Sequence, residues 1–170
     1  MEEKCILLDS SFFMRFVNDG DRYHQNALNY YKFFLENNFR LKCSTISIAE
    51  YCVKGKIDEL PLKDLEILPF NINHAVKAGE FAYLVFANRD ELQIENRAVI
   101  PNDSKLFAQA HIESEITSFA TSDQKCIKVH NLLQQHFKVN FEIIDITESL
   151  SKNFGVLPFE GWKFQQNLLK

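Results

Sequence analysis

The stretch Lys4-Cys5-Ile6-Leu7-Leu8-Asp9-Ser10-Ser11-Phe12-Phe13 decides the fold. Its four consecutive apolar residues do not alternate with polar ones and end abruptly at an acid. A half-exposed antiparallel strand would alternate; a continuous short run reads as a strand buried on both faces, as in a parallel sheet. Ser10 or Ser11 can cap a helix carrying Phe12, Phe13, Phe16 and Val17, and Asn18-Asp19-Gly20 stops it. The fragment is thus strand, acid, helix.

The same unit recurs along the chain. Asp21 can cap a helix whose Ala27, Leu28, Tyr31, Phe34 and Leu35 recur at three- and four-residue steps. Residues 41–45 read as a second strand, and Ser47 can cap a helix through Ala49, Glu50 and Val53. Residues 65–70 read as a strand or an extended connection, interrupted by Pro69, and Asn73 opens a long helix with Ala75, Ala78, Gly79, Ala82 and Phe86. Residues 88–96 are polar and read as a loop. Asn102 or Asp103 caps a helix with Leu106, Phe107, Ala110 and Ile112, followed by a strand at 116–121, a helix marked by Cys126, Val129, Leu132 and Leu133, and a last strand at 141–144. Short strands alternating with helices predict an α/β chain, a parallel sheet with helices on both faces. Residues 1–146 form the expected domain. Residues 147–170, broken by Gly155, Pro158 and Gly161 yet rich in Phe and Trp, are expected to pack on that domain or on a partner.

Composition bounds the function. The 170 residues suffice for one domain with a sizeable core. Net charge is −4, so nothing announces a polyanion-coating protein, which is usually basic, and any nucleic acid must bind at a local site. Cys5, Cys43, Cys52 and Cys126 match no zinc spacing and read as small buried thiols in a reducing compartment. Neither a signal-peptide pattern nor an apolar run of membrane length is visible, and a cytoplasmic protein is expected.

In open α/β sheets, chemistry gathers at the carboxyl ends of the strands. Asp9 and Asp123 follow strands, Asp103 opens a helix after a loop, and Glu50 lies about one turn into the helix after the second strand. Each acid alone is often only a helix cap or a first-turn charge. Four in successive strand-to-helix units could instead share one rim. Carboxylates about 4 Å apart repel by roughly 1 to 4 kcal/mol, depending on the effective dielectric. Such a cluster takes up protons or binds a hard cation, and Mg²⁺ or Mn²⁺ with oxygen ligands is the equipment of phosphodiester hydrolysis.

The segments Ile6-Leu7-Leu8-Asp9-Ser10-Ser11, Ser44-Thr45-Ile46-Ser47-Ile48-Ala49-Glu50, Asn102-Asp103-Ser104-Lys105-Leu106-Phe107-Ala108 and Phe119-Ala120-Thr121-Ser122-Asp123, in that order, resemble the PIN-domain nucleases, in particular the VapC-like toxin ribonucleases. The resemblance spans residues 4–146. It implies a three-layer α/β/α sandwich around a parallel sheet. It implies Mg²⁺ or Mn²⁺ held by Asp9, Asp103 and Asp123, with Glu50 completing the pocket and positioning the attacking water. Ser11 and Thr121 match hydroxyl positions that support the acids. RNA is the implied substrate, a small antitoxin protein and a second copy in a homodimer the implied partners.

The chain departs from the family at three points. Gln124-Lys125-Cys126 stands where a further Asp is common, Ser104 and Lys105 replace small apolar residues after Asp103, and the segment after residue 146 is longer than a minimal domain needs. Candidate contacts to RNA are Arg15, Arg22, Lys54, Lys105, Lys125 and Lys128, with Tyr23 or Tyr51 able to stack a base. The competing class is a PIN-like module that binds RNA or protein without turnover. A haloacid-dehalogenase-type phosphatase wants an acid where Ser11 stands, and a receiver domain wants an acid pair where Asp9 stands alone.

Overall fold

The computed structural model describes residues 4–90, 92 and 100–155. Strands β1 (Cys5–Leu8), β2 (Arg40–Ser44), β3 (Glu66–Leu68), β4 (Ile116–Thr121) and β5 (Glu142–Asp145) form one sheet in the order β3-β2-β1-β4-β5. Every pairing is parallel. The helices are α1 (Ser10–Val17), α2 (His24–Glu36), α3 (Thr45–Tyr51), α4 (Ile72–Ala87), α5 (Ile100–Ile112), α6 (Gln124–Phe137) and α7 (Leu150–Phe154). They cover both faces, giving a three-layer α/β/α sandwich.

The apolar run of β1 explains the layers. Side chains alternate across a strand, so Cys5 and Leu7 enter one core while Ile6 and Leu8 enter the other. The first core holds Ala78, Phe81 and Val85 of α4 with the inner faces of α5 and α6. The second holds Phe12 and Phe13 of α1 and Ala27, Tyr30 and Phe34 of α2, all fully buried. All four β1 residues are fully buried, as a central parallel strand requires. Phe154 of α7 closes the second core, with its ring 4.8 Å from Phe33 and near Phe34 and Phe39. Residues 156–170, and most of the expected loop at 88–96, lie outside the described residues.

Several helix starts differ from expectation, for one reason. A cap must keep extended backbone while its side chain accepts an amide hydrogen. Asp9, not Ser10 or Ser11, does this for α1; Ser44, not Ser47, does it for α3; Asn71, not Asn73, does it for α4. Asp21 does not cap α2: it accepts from the Tyr23 amide in the preceding turn, and α2 has no side-chain cap. Helix α5 begins at Ile100, so Asp103 sits within its first turn. Cys52 is exposed, unlike the other three thiols.

At the amino-terminal edge of the sheet, Lys42 lies nearly buried on β2 and pairs with Glu66 at 3.1 Å and Glu115 at 2.7 Å. Arg40 meets the same two acids at 2.7 Å each. Two cations and two anions thus tie β2 to β3 and to the approach of β4, at the end away from the acids considered below.

Phe34 is fully buried and its ring neighbours are Tyr30, Phe33, Phe39 and Phe154. Phe34→Ala is expected to lower the unfolding free energy by roughly 3–5 kcal/mol in urea titration.

Candidate functional site

The sheet order places β1 beside β4, between the two halves of the sheet, and the connections diverge on either side of that pair. A crevice opens at their carboxyl ends for this reason. Asp9 follows β1 there, and its amide donates to Ala120 O of β4 at 3.0 Å, so the register of the two strands carries directly into the site.

Asp9 is 6% exposed and is held on both oxygens. Oδ1 accepts from the Ser10 amide at 2.7 Å; Oδ2 accepts from Ser11 Oγ at 2.6 Å and Thr121 Oγ1 at 2.8 Å. Thr121 Oγ1 in turn accepts from the Asp123 amide at 3.0 Å, and Ser11 Oγ accepts from the Ser122 amide at 2.9 Å. Two hydroxyls therefore join the ends of β1 and β4. Asp123 caps α6, accepting from the Lys125 amide at 2.8 Å.

The four acids line one cavity of about 790 Å³. Asp9 and Asp123 come from the β1 and β4 ends, Glu50 from α3 and Asp103 from α5. Met14 and Val17 of α1 and Val53 after α3 add an apolar wall, with Lys54 at its margin. Among the described residues, no three His, Cys, Asp or Glu side chains stand together as a ready metal cluster.

Their electrostatics are coupled. Burial, then the charges of Asp9, Asp123 and Glu50, push the Asp103 carboxyl up to about 8, with Lys125 opposing. Burial also raises Asp9, against the bonds from Ser11, Thr121 and Ser10, and the Asp123 charge adds to the rise. Glu50 is raised by burial and by Asp9, while the Ser10 and Asn102 side chains and the Lys105 charge lower it. The common cause is desolvation of carboxylates that face one another. The Cys126 thiol, fully enclosed behind them, is pushed well up by burial and by Asp103, and stays protonated.

Of the two departures after Asp103, Lys105 donates to Asn102 Oδ1 at 3.2 Å. Ser104 is fully buried and its hydroxyl finds no partner among the described residues, so this position packs as a small apolar residue would. Two contributors escaped the sequence reading. Asn102, read only as a cap, bonds Lys105 and lowers Glu50. Ser122 donates its amide to Ser11 and accepts from Arg15 Nε at 3.3 Å. No spacing rule flags either. The nucleic-acid candidates Arg15, Arg22 and Tyr23 do gather: Arg22 lies 4.5 Å and Arg15 5.9 Å from the Tyr23 ring centre, and Arg15 is ion-paired with Asp21.

No protein-family model matches the chain, and no curated protein matches it. Solved structures do. VapBC2 from Rickettsia felis, bound to a DNA fragment from its promoter, is similar with a TM-score of 0.55 at 20% identity, covering 82% of this chain and 97% of that one. VapC20 from Mycobacterium tuberculosis, described as a toxin cleaving the sarcin–ricin loop, is similar with a TM-score of 0.50 at 16% identity, covering 72% of this chain and 93% of that one. The chain has a VapC-like PIN fold.

Two outcomes follow from the electrostatics and the packing. A carboxyl that ionises near 8 when folded and near 4 when unfolded binds its proton more tightly in the folded state, so its contribution to stability falls as pH rises through that window. In divalent-free buffer, Asp103→Asn is expected to melt several degrees above wild type at pH 8, the gap closing toward pH 5 in calorimetry. Ser104→Ala, which removes a hydroxyl with no partner among the described residues, is expected to leave urea stability unchanged or raised by up to about 1 kcal/mol.

Proposed function

We propose that the chain is a Mg²⁺- or Mn²⁺-dependent endoribonuclease that hydrolyses RNA phosphodiester bonds. One observation carries the reading: four carboxylates from four separate elements line a single cavity, and Asp103 is raised by the charges of the other three. The donor set is all oxygen, which suits a hard divalent ion. Asp9, Asp103 and Asp123 are the residues assigned to hold it. When bound, the ion supplies positive charge that acidifies a water and offsets charge building on the phosphate.

The chain's own residues do the rest. The Ser10 amide and the Ser11 and Thr121 hydroxyls fix the orientation of Asp9. Burial and the charges of Asp9, Asp123 and Glu50 favour the protonated form of Asp103, a preference that a cation held there would oppose. Glu50, raised in pKa and directed at the same cavity, is placed to orient a water and take its proton. The apolar wall of Met14, Val17 and Val53 beside the acids offers a seat for an apolar residue of an antitoxin polypeptide. A second copy of the chain completes the proposed partners. The competing reading is a PIN-like module that binds RNA or protein without turnover.

RNA incubated with the protein and Mn²⁺ is expected to be cut. Asp9→Asn, with an unchanged circular dichroism spectrum, is expected to reduce cutting by roughly 10³-fold. Millimolar Mn²⁺ should also raise the melting temperature of wild type by a few degrees and that of Asp103→Asn by much less. Wild type that retains RNA on a filter but never cleaves it supports the module instead.

A further inference from the structure

Three polar side chains are fully buried behind the acidic cavity rather than in its lining: Ser44, Ser47 and Gln109. A buried amide costs stability unless its hydrogen bonds are made, and an apolar side chain of the same volume carries no such cost. The bonds that Gln109 makes are therefore its reason to be there. Its Oε1 accepts from Ser44 Oγ at 2.5 Å, and its Nε2 donates to Leu68 O at 3.3 Å. Ser44 and Leu68 are register partners at the carboxyl ends of β2 and β3. One side chain of α5 thus grips both strand ends. Ser44 Oγ also accepts from the Ile46 amide at 2.9 Å as the cap of α3. Ser47, in the first turn of α3, donates at 3.4 Å to the carbonyl of Leu8, the residue before Asp9.

We propose that Gln109 is a positioning residue, which through Ser44 sets the separation of Glu50 on α3 from Asp103 on α5. Helix α3 has only 7 residues and Glu50 is next to its last, so the helix has little rigidity of its own and its placement follows its anchors. One anchor is bonded to the helix that carries Asp103, the other to the strand that leads to Asp9. The Ser44–Gln109 bond acts against a repulsion. Glu50 and Asp103 line the same cavity, and the Glu50 charge acts on Asp103. Like charges in a partly desolvated space push α3 and α5 apart. Apolar burial is non-directional and holds no particular spacing between helices, whereas a satisfied buried hydrogen-bond network fixes one arrangement. The consequence for cutting rests on the nuclease reading, since it needs Glu50 to orient a water. The mechanical coupling of the two helices does not.

The test is a pair of double-variant cycles on the full chain. Gln109→Met keeps the side-chain length and removes both bonds. In divalent-free buffer at pH 9, above the value of about 8 for Asp103, Glu50→Gln relieves the repulsion and is expected to raise the melting temperature by several degrees. In the Gln109→Met background that gain is expected to fall to about half or less, because the two acids have already moved apart. This cycle needs no RNA, ion or turnover. In the second cycle, with RNA and Mn²⁺, Gln109→Met is expected to lower kcat roughly 10- to 100-fold with KM within about 2-fold, and to cost nothing further in the Glu50→Gln background. Ser44→Gly breaks the same bond from the other end and leaves a tolerated cap residue, so it is expected to reproduce both results and decides the matter where Gln109→Met does not fold. An equal melting gain in both backgrounds overturns the proposal. So does a loss of cutting by the same factor with and without the Glu50 carboxylate, which marks a purely structural role. A wild type that shows the melting coupling but never cuts upholds the coupling and removes the nuclease reading.

Discussion

A buried carboxylate held by two hydroxyls is the constraint on which the site depends. Asp9 cannot lie at the end of a fully buried strand as an ion without compensation. Its compensation comes from the Ser10 amide, Ser11 and Thr121, and the last of these belongs to β4, more than a hundred residues away. The bonds that keep Asp9 in place therefore also fix the approach of Ser122 and Asp123. Loss of β1–β4 register would release the acid, and loss of the acid would leave Ser11 and Thr121 with each other, 3.1 Å apart, and with the Ser122 and Asp123 amides.

The two edges of the sheet treat charge in opposite ways. At the amino-terminal edge, Arg40 and Lys42 face Glu66 and Glu115, and the Arg40 guanidinium draws the Glu66 carboxyl down to about 2. At the carboxyl-terminal edge, Asp9, Glu50, Asp103 and Asp123 face one another, and Asp103 rises to about 8. The first arrangement neutralises itself and serves to hold strands together. The second leaves negative charge that Lys105 and Lys125 offset only in part, which is the condition for taking up protons or a cation. One fold thus carries a structural charge cluster and a candidate chemical one, kept apart by the length of the strands.

Parts of this were legible in the residues. The unbroken run Cys5–Leu8 forced a strand buried on both faces, because any alternating arrangement would have exposed two of its side chains. The acids after β1 and β4 were legible as strand-end residues. The helix starts were less so, since Ser10, Ser47 and Asn73 have the same capping chemistry as Asp9, Ser44 and Asn71, and only backbone conformation separates them. Lys42 gave no signal: a lysine within a strand reads as solvent-facing until its two acid partners, 24 and 73 residues away, are placed.

Sequence alone determined the class of fold, through apolar periodicity and the acids that punctuate it, because burial and strand pleat act on each short segment locally. It also supplied which carboxylates were available. The strand order β3-β2-β1-β4-β5, and with it the meeting of Asp9, Glu50, Asp103 and Asp123 in one cavity, was decided by tertiary structure. So were the hydroxyl cradle around Asp9 and the buried bond between Ser44 and Gln109. Pairing of distant strands and mutual repulsion of charges are properties of separation in space, which distance along the chain does not encode.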